Sequence, residues 1–202
     1  MDRDAWNARY AGPELVWGTG PNRFVAEEVH GLLAGRALDL ACGEGRNAIW
    51  LAEQGWTVTA VDWSDVAIGR GRELAVARGV TVEWVVADVL GWVPPPLAFD
   101  LVLLAYLQLP EPARSAVLGA AAAAVAPGGA LLEVAHDRSN LDGGHGGPQE
   151  PAVLATPEEV AEVLRSEGLT VERAEVVHRP VETDQGTVAA LDHVVRARRA
   201  RE

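Results

Sequence analysis

The chain is predicted to be an α/β protein, a doubly wound seven-stranded mixed sheet with helices on both faces and a C-terminal antiparallel hairpin. Three observations predict it. From Arg36 to Ala135, short apolar runs alternate with runs of helical period, the rhythm of strands and helices joined into a parallel sheet. The first of these units turns through Gly43-Glu44-Gly45. The last two extended runs, Leu169–His178 and Thr187–Ala197, are joined by a turn around Asp184-Gln185-Gly186, the pattern of a hairpin.

Each element has its own signal. Residues 1–20 hold Trp6, Tyr10 and Trp17, with Gly12, Pro13 and Gly18 between and after them; they read as a short helix and a loop. Pro21-Asn22 leads into a helix from about Arg23 to Leu33, where Phe24, Val25, Val29, Leu32 and Leu33 fit helical spacing. Arg36–Leu40 is the first strand, with Asp39 near its end. A helix carrying Ile49, Trp50, Leu51 and Ala52 follows the glycine turn. Thr57–Val61 is the second strand, and Asp62 terminates it. Ser64 is the N-cap of the next helix, with Asp65 in its first turn, and Gly79 stops that helix after Arg78.

Val80–Ala87 is the third strand, Gly91–Pro96 a proline loop, and Phe99–Leu104 the fourth strand. Glu111 to Val125 is an alanine-rich helix, and Ala130–Ala135 the fifth strand. Residues 138–155 break the rhythm with four glycines and two prolines and read as a flexible substrate loop. Thr156 then caps a helix with Pro157 in its first position. There is no internal repeat and no second domain in this reading, so 1–202 is taken as a single domain.

Composition bounds the function. The chain has 202 residues, 49% of them hydrophobic, and a net charge of −12. Such a charge disfavours a nucleic-acid partner. All basic residues are arginine, and four of them sit in the tail from Arg196 to Arg201. The one cysteine, Cys42, excludes an internal disulfide. No signal peptide and no apolar run of the ~18 residues needed for a membrane span is read. A cytoplasmic protein acting on a small molecule, as a monomer or homodimer, is expected. No metal is expected, because the histidines lack ligand spacing.

The stretch from Arg36 to Trp63 points to a nucleotide-like ligand over the strand ends. Gly43 and Gly45 allow a tight turn and close backbone approach. The Asp62 carboxylate offers two acceptor oxygens to a ribose diol. Gly43, Gly45 and Ala48 also satisfy the dinucleotide pattern G-x-G-x-x-G/A, so NAD is a competitor. Asp39 argues against it: an acid at the turn repels a pyrophosphate and suits a cation.

With these residues the chain resembles the class I S-adenosylmethionine (SAM)-dependent methyltransferases, which have a Rossmann-like sheet. The first motif reads Leu38-Asp39-Leu40-Ala41-Cys42-Gly43-Glu44-Gly45, the second Asp62-Trp63, the third Val86-Ala87-Asp88-Val89, the fourth Phe99 to Leu104, and Pro127-Gly128-Gly129 leads into the fifth strand. Arg46-Asn47 and the tryptophan in Val16-Trp17-Gly18 are similar to the small tellurite-resistance and thiopurine methyltransferases. The resemblance implies SAM as cofactor. It implies Asp39, Leu40, Ala41, Gly43 and Gly45 around the methionine end, Asp62 on the ribose, Trp63, Asp88 and Val89 around the adenine, and Ala105 near the methionine ammonium. Trp17, in the covering segment 1–22, is expected to fold over the cofactor.

For the acceptor end, His136, Tyr106, His178 and Arg179 follow or end strands and are the candidate catalytic residues. The tellurite-type enzymes carry a further arginine in the last hairpin; here Glu182 to Thr187 holds none. The expected reaction is methyl transfer to a small-molecule acceptor, a thiol or other chalcogen being favoured. An NAD-dependent oxidoreductase and a catalytically silent SAM-binding protein are the alternatives.

Overall fold

The computed structural model describes residues 2–184 and 186–201. Seven strands form one sheet: β1 (Arg36–Leu40), β2 (Thr57–Asp62), β3 (Glu83–Val86), β4 (Phe99–Ala105), β5 (Val125–His136), β6 (Thr170–Thr183) and β7 (Gly186–Arg198). Their order is β3-β2-β1-β4-β5-β7-β6. The pairs among β1 to β5 are parallel, and β7 runs antiparallel to both β5 and β6. The chain winds outward from β1 to β3, then restarts at β4 on the other side of β1. The C-terminal tips of β1 and β4 therefore flank the point where the winding reverses, which is where open sheets of this kind bind ligands.

Among the described residues seven α-helices accompany the sheet: α1 (Arg3–Tyr10), α2 (Arg23–Val29), α3 (Arg46–Glu53), α4 (Asp65–Arg78), α5 (Ala113–Ala124), α6 (Asn140–Gly143) and α7 (Pro157–Ser166). Two apolar cores result. On one face α2 and α3 pack Phe24, Val25, Ala48 and Leu51 against Leu101, Leu103 and Leu132. On the other, α5 and α7 pack Val117, Leu118, Val160 and Leu164 against Leu38, Val102 and Leu131. The helix starts follow local chemistry. Ser64 accepts from the Ala67 amide. Thr156 and Glu159 form a reciprocal capping box.

Several boundaries differ from the sequence expectation. α2 ends at Val29, leaving Leu33 exposed, and β6 runs past His178 to Thr183 because its pairing with β7 continues to the turn. β3 is shorter than Val80–Ala87, because the Val80 amide is engaged by the Ala75 carbonyl at the end of α4 and pairing with β2 begins only at Glu83. Pro127-Gly128-Gly129 does not precede the fifth strand; it lies inside β5, which already pairs Val125 with Phe99 and then shifts register. Gly129 fits there because a Cβ would stand 2.9 Å from the Phe99 and Ala126 carbonyls. Segment 138–155 contains α6 and a 3-10 turn, Pro151–Val153, with Leu154 and Ala155 buried. Of the hairpin turn around Asp184-Gln185-Gly186, Gln185 lies outside the described residues.

Candidate active site

β1 and β2 end side by side, and each delivers one buried acid. Asp39 pairs in register with Ala60, is 1% exposed, and neither carboxylate oxygen has a hydrogen-bond partner. Burial, and then the nearby Asp62 charge, raise its pKa to about 7, against a weak pull from the Ala48 amide and the Arg46 charge. A buried carboxylate left without a partner is costly, so its presence points to a missing cationic or donor group. Asp62 is bound differently. Its Oδ2 accepts from the Gly43 amide and its Oδ1 from the Ser64 amide, both at 2.8 Å. Burial still raises its pKa, against these amides. Each oxygen keeps one further lone pair, enough for a diol.

The turn between them needs its glycines for different reasons. Gly43 has φ +57°, and a Cβ there would stand 2.8 Å from the Tyr10 hydroxyl. Gly45 has φ +77°, but its Cβ would run into the Trp84 ring at 2.3 Å. Gly45 thus packs β3 against the start of α3. Ala41 has φ +57° without being glycine. Leu40 points into the α5–α7 core. Burial pushes the Cys42 thiol well up, which keeps it protonated and unreactive.

The N-terminal segment lies over this turn. Arg70 donates to the Tyr10 and Gly12 carbonyls and pairs with the buried Glu44 at 3.2 Å. Glu44 also accepts from the Val16 amide at 2.8 Å, and Arg46 donates to the Trp17 carbonyl at 3.2 Å. Asn7 bonds Ser64 and Asp65. Asn47, next to Arg46, takes the Asn22 amide at 2.8 Å and fixes the start of α2. Trp17 itself is half-exposed and reaches Tyr10 at 3.4 Å.

A second cluster sits beside the first, at the ends of β4 and β5 and against the middle of β6 and β7. Tyr106 follows β4 at φ +60°. His136 ends β5 and is paired in register with Asp192 of β7. Arg179 reaches in from β6. All three meet on Asp192, which is fully buried: Tyr106 Oη donates to Oδ2 at 2.6 Å, Arg179 Nε to Oδ2 at 2.7 Å, and His136 Nδ1 lies 2.9 Å from Oδ1. Burial opposes ionisation of Asp192, but these donors outweigh it and hold its pKa below the usual range. The Tyr106 ring meets the His136 ring edge-on at 5.0 Å. Asn22 also bonds the Tyr106 hydroxyl, linking this cluster to the N-terminal segment.

The sequence reading found three of these four groups and missed Asp192. It also included His178, which the structure separates from them. His178 is exposed, and strand alternation puts it on the face opposite to its neighbour Arg179. Asp88 lies past the end of β3, exposed, and accepts from the Leu90 amide at 2.9 Å. Trp63, Val89 and Ala105 are half-buried at their strand tips. The glycine-rich part of 138–155 covers the second cluster: a Cβ on Gly147 would stand 3.0 Å from the His136 ring. Asn140, buried, accepts from the Leu191 amide and donates to the Gly146 carbonyl. On the opposite face of β7, His193 is buried between Glu133 (2.9 Å) and Asp137 (3.3 Å).

The two clusters together offer an orphaned buried acid, a carboxylate with spare acceptor capacity over a glycine turn, and an Arg–Tyr–His group next door. The first pair fits a ligand bearing a positive charge and a ribose.

Comparison with known proteins agrees with this geometry. A model of a methyltransferase domain matches residues 37–129. The chain is 30% identical over 150 residues to 2-heptyl-1-hydroxyquinolin-4(1H)-one methyltransferase of Mycobacteroides abscessus, a match covering 71% of this chain and 62% of that protein. It is 35% identical over 99 residues to demethylmenaquinone methyltransferase of Thermus thermophilus, covering 48% and 45%. The chain thus spans less than two thirds of the length of these curated relatives. Among solved structures, a protein studied for the conversion of a disulfide bond into a thioacetal group during echinomycin biosynthesis superposes with a TM-score of 0.75 at 25% identity, covering 98% of this chain and 92% of that one. TehB from Haemophilus influenzae superposes with a TM-score of 0.70 at 17% identity, covering 98% and 66%.

Proposed function

We propose, for a chain that has the fold and the domain of the class I SAM-dependent methyltransferases, that it transfers a methyl group to an ionisable chalcogen atom, oxygen or sulfur, of a small molecule. The observation that carries this reading is Asp39, buried at the tip of β1 with both oxygens unpartnered. SAM supplies a methyl group on a positively charged sulfur. The residues that would hold it are Asp39 near its charged methionine end, Gly43 beneath it, Asp62 on the ribose hydroxyls, Trp63, Asp88 and Val89 around the adenine, and Ala105 beside the ammonium. Trp17 and Tyr10 would close over it.

The acceptor would lie between this ligand and the Tyr106–His136–Arg179 group. Arg179 offers a fixed positive charge to an anionic acceptor. Holding two reactants in line is the larger part of such catalysis, and segment 138–155 would form the roof that keeps water out. Two relatives are named for a hydroxyquinolone and a demethylmenaquinone; a compact, ring-shaped acceptor of that kind is the first to try. The −12 net charge does not favour a nucleic acid.

Calorimetric titration with S-adenosylhomocysteine and NAD in parallel, on the wild type and Asp62→Ala, tests the cofactor half. S-adenosylhomocysteine is expected to bind, and the variant to lose about 1–3 kcal/mol. Binding of NAD alone would overturn the reading. Binding without transfer to any thiol or hydroxyl would leave a silent SAM-binding protein.

A further inference from the structure

We propose that Asp192 is a positioning residue that holds His136 as the base for a hydroxyl acceptor, so that the substrate class is a neutral phenol- or enol-type hydroxyl rather than a thiolate. The proposal rests on the methyl-transfer reading above.

The argument begins with the register. Pairing of β5 with β7 sets His136 directly opposite Asp192, and alternation puts both side chains on the face that carries Val134, Val177 and Arg179. Asp192 is 0% exposed and ionised, so it only accepts. Every group turned toward it must present a proton. Tyr106 and Arg179 do so. His136 turns Nδ1 to it at 2.9 Å, and a proton placed there would leave the Nε2 lone pair free. Among the described residues no hydrogen bond engages Nε2, and it is absent from the buried, unpartnered atoms that include Nδ1. The Nδ1 contact is short but lies off the ring N–H direction; such contacts tighten when substrate arrives.

The surroundings of the ring suit this role. Tyr106 approaches edge-on from the end of β4, and Arg179 from β6 lies 5.9 Å from the Tyr106 ring centroid. Arg46 from α3 interacts electrostatically with Tyr106, Asp39 and Arg179. The covering loop brings the Gly147 backbone to the ring, on its Cγ, Nδ1 and Cδ2 side. Asp137, the next residue, turns away to His193. One carboxylate therefore faces the imidazole directly, on the side away from the open nitrogen.

A thiol, with a pKa of about 8.5, is partly ionised at neutral pH and needs no base, whereas a phenol at about 10 does. In the step, the acceptor O–H proton passes to His136 Nε2 and an oxygen lone pair forms the O–CH3 bond. The S–CH3 bond breaks with its electron pair kept by sulfur, giving neutral S-adenosylhomocysteine. The imidazolium then returns its proton to solvent.

The test joins a spectroscopic and a kinetic arm on the full chain. Long-range 15N–1H correlation spectra, with His136→Gln for assignment, are expected to show His136 as the Nδ1–H tautomer at neutral pH. Asp192→Asn should mix the tautomers and move the acidic limb of kcat/KM to lower pH. With catechol as acceptor, His136→Gln should lose on the order of 10²-fold in kcat and Asp192→Asn about 10-fold or more, with S-adenosylhomocysteine affinity kept. Transfer to benzenethiol should change by less than about 3-fold, since no proton transfer is required. An Nε2–H tautomer in the wild type, or equal losses with both acceptors, would overturn the proposal. The wild-type tautomer needs no variant, so misfolding of Asp192→Asn leaves that arm intact. Absence of transfer to either acceptor with the Nδ1–H tautomer present would refute the methyl-transfer reading instead.

Discussion

The Tyr106 hydroxyl donates to Asp192 at 2.6 Å across 86 positions of sequence. This bond ties the end of β4 to the middle of the C-terminal hairpin, two strands away in the sheet. Burial raises the Tyr106 pKa, with the Asp192 charge adding to it, so the phenol remains a donor throughout the working pH range. Tyr106→Phe should lower unfolding free energy by about 1.5–3 kcal/mol, the range for a hydrogen bond to a charged group. Urea denaturation followed by tryptophan fluorescence would measure it; an unchanged midpoint would mean that the bond contributes nothing in solution.

Asp39 makes an opposite prediction. Its folded pKa of about 7 lies above the ordinary carboxylate value of 3.8. The folded state therefore prefers the protonated acid, and stability falls as pH rises from about 4 to about 7, then levels off. Asp39→Asn should remove that slope and stabilise the ligand-free protein at pH 8 by roughly 2–4 kcal/mol, while weakening S-adenosylhomocysteine binding. Thermal melts of both proteins at pH 5 and pH 8, without and with ligand, separate the two effects.

His193 should give a slope at higher pH. Burial would lower its pKa, but Glu133 and Asp137 outweigh burial and raise it from 6.5 to about 10. The folded state binds the proton more tightly than the unfolded chain. Its contribution is complete below about pH 6.5 and fades as pH climbs toward 10. His193→Gln should flatten the urea midpoint between pH 7 and 10, where the wild type declines.

Gly45→Ala should destabilise by more than about 2 kcal/mol, since it combines strain at positive φ with overpacking. The new methyl would meet the Trp84 ring at 2.3 Å. Shortening the ring in Gly45→Ala/Trp84→Leu should recover part of the loss. Absence of recovery would assign the whole effect to backbone conformation.

What could be read from the sequence depended on how local each feature is. Asp39, Gly43 and Asp62 fall within one strand–turn–helix–strand unit, so their spacing alone placed them at neighbouring strand tips. Tyr106, His136 and Arg179 were legible as strand-end residues, but their convergence was not, because it is made by β5–β7–β6 pairing over long separations. Asp192 lies inside a run, Val188 to Val195, that reads as an apolar strand. The one signal was an acid on the same alternating face as Ala190 and Val194, where an apolar residue would ordinarily pack. The packing of Gly45 against Trp84 was not legible, because Trp84 is remote in sequence. β3 was overestimated because hydrophobicity continues through Val80 and Val82, while a helix cap had already taken the Val80 amide.

The ties from Arg70, Glu44, Arg46 and Ser64 to residues 7–17 have a kinetic meaning. They fasten the covering segment to the same turn that would carry the methyl donor. On the methyl-transfer reading, a donor seated on Gly43 would enter, and its spent form would leave, past Tyr10 and Trp17. Opening of that cover would be a local unfolding event with its own equilibrium. Turnover would then be paced by how often a short stretch of chain lets go, and a change at Glu44 or Arg70 would alter its tempo without touching either reactant.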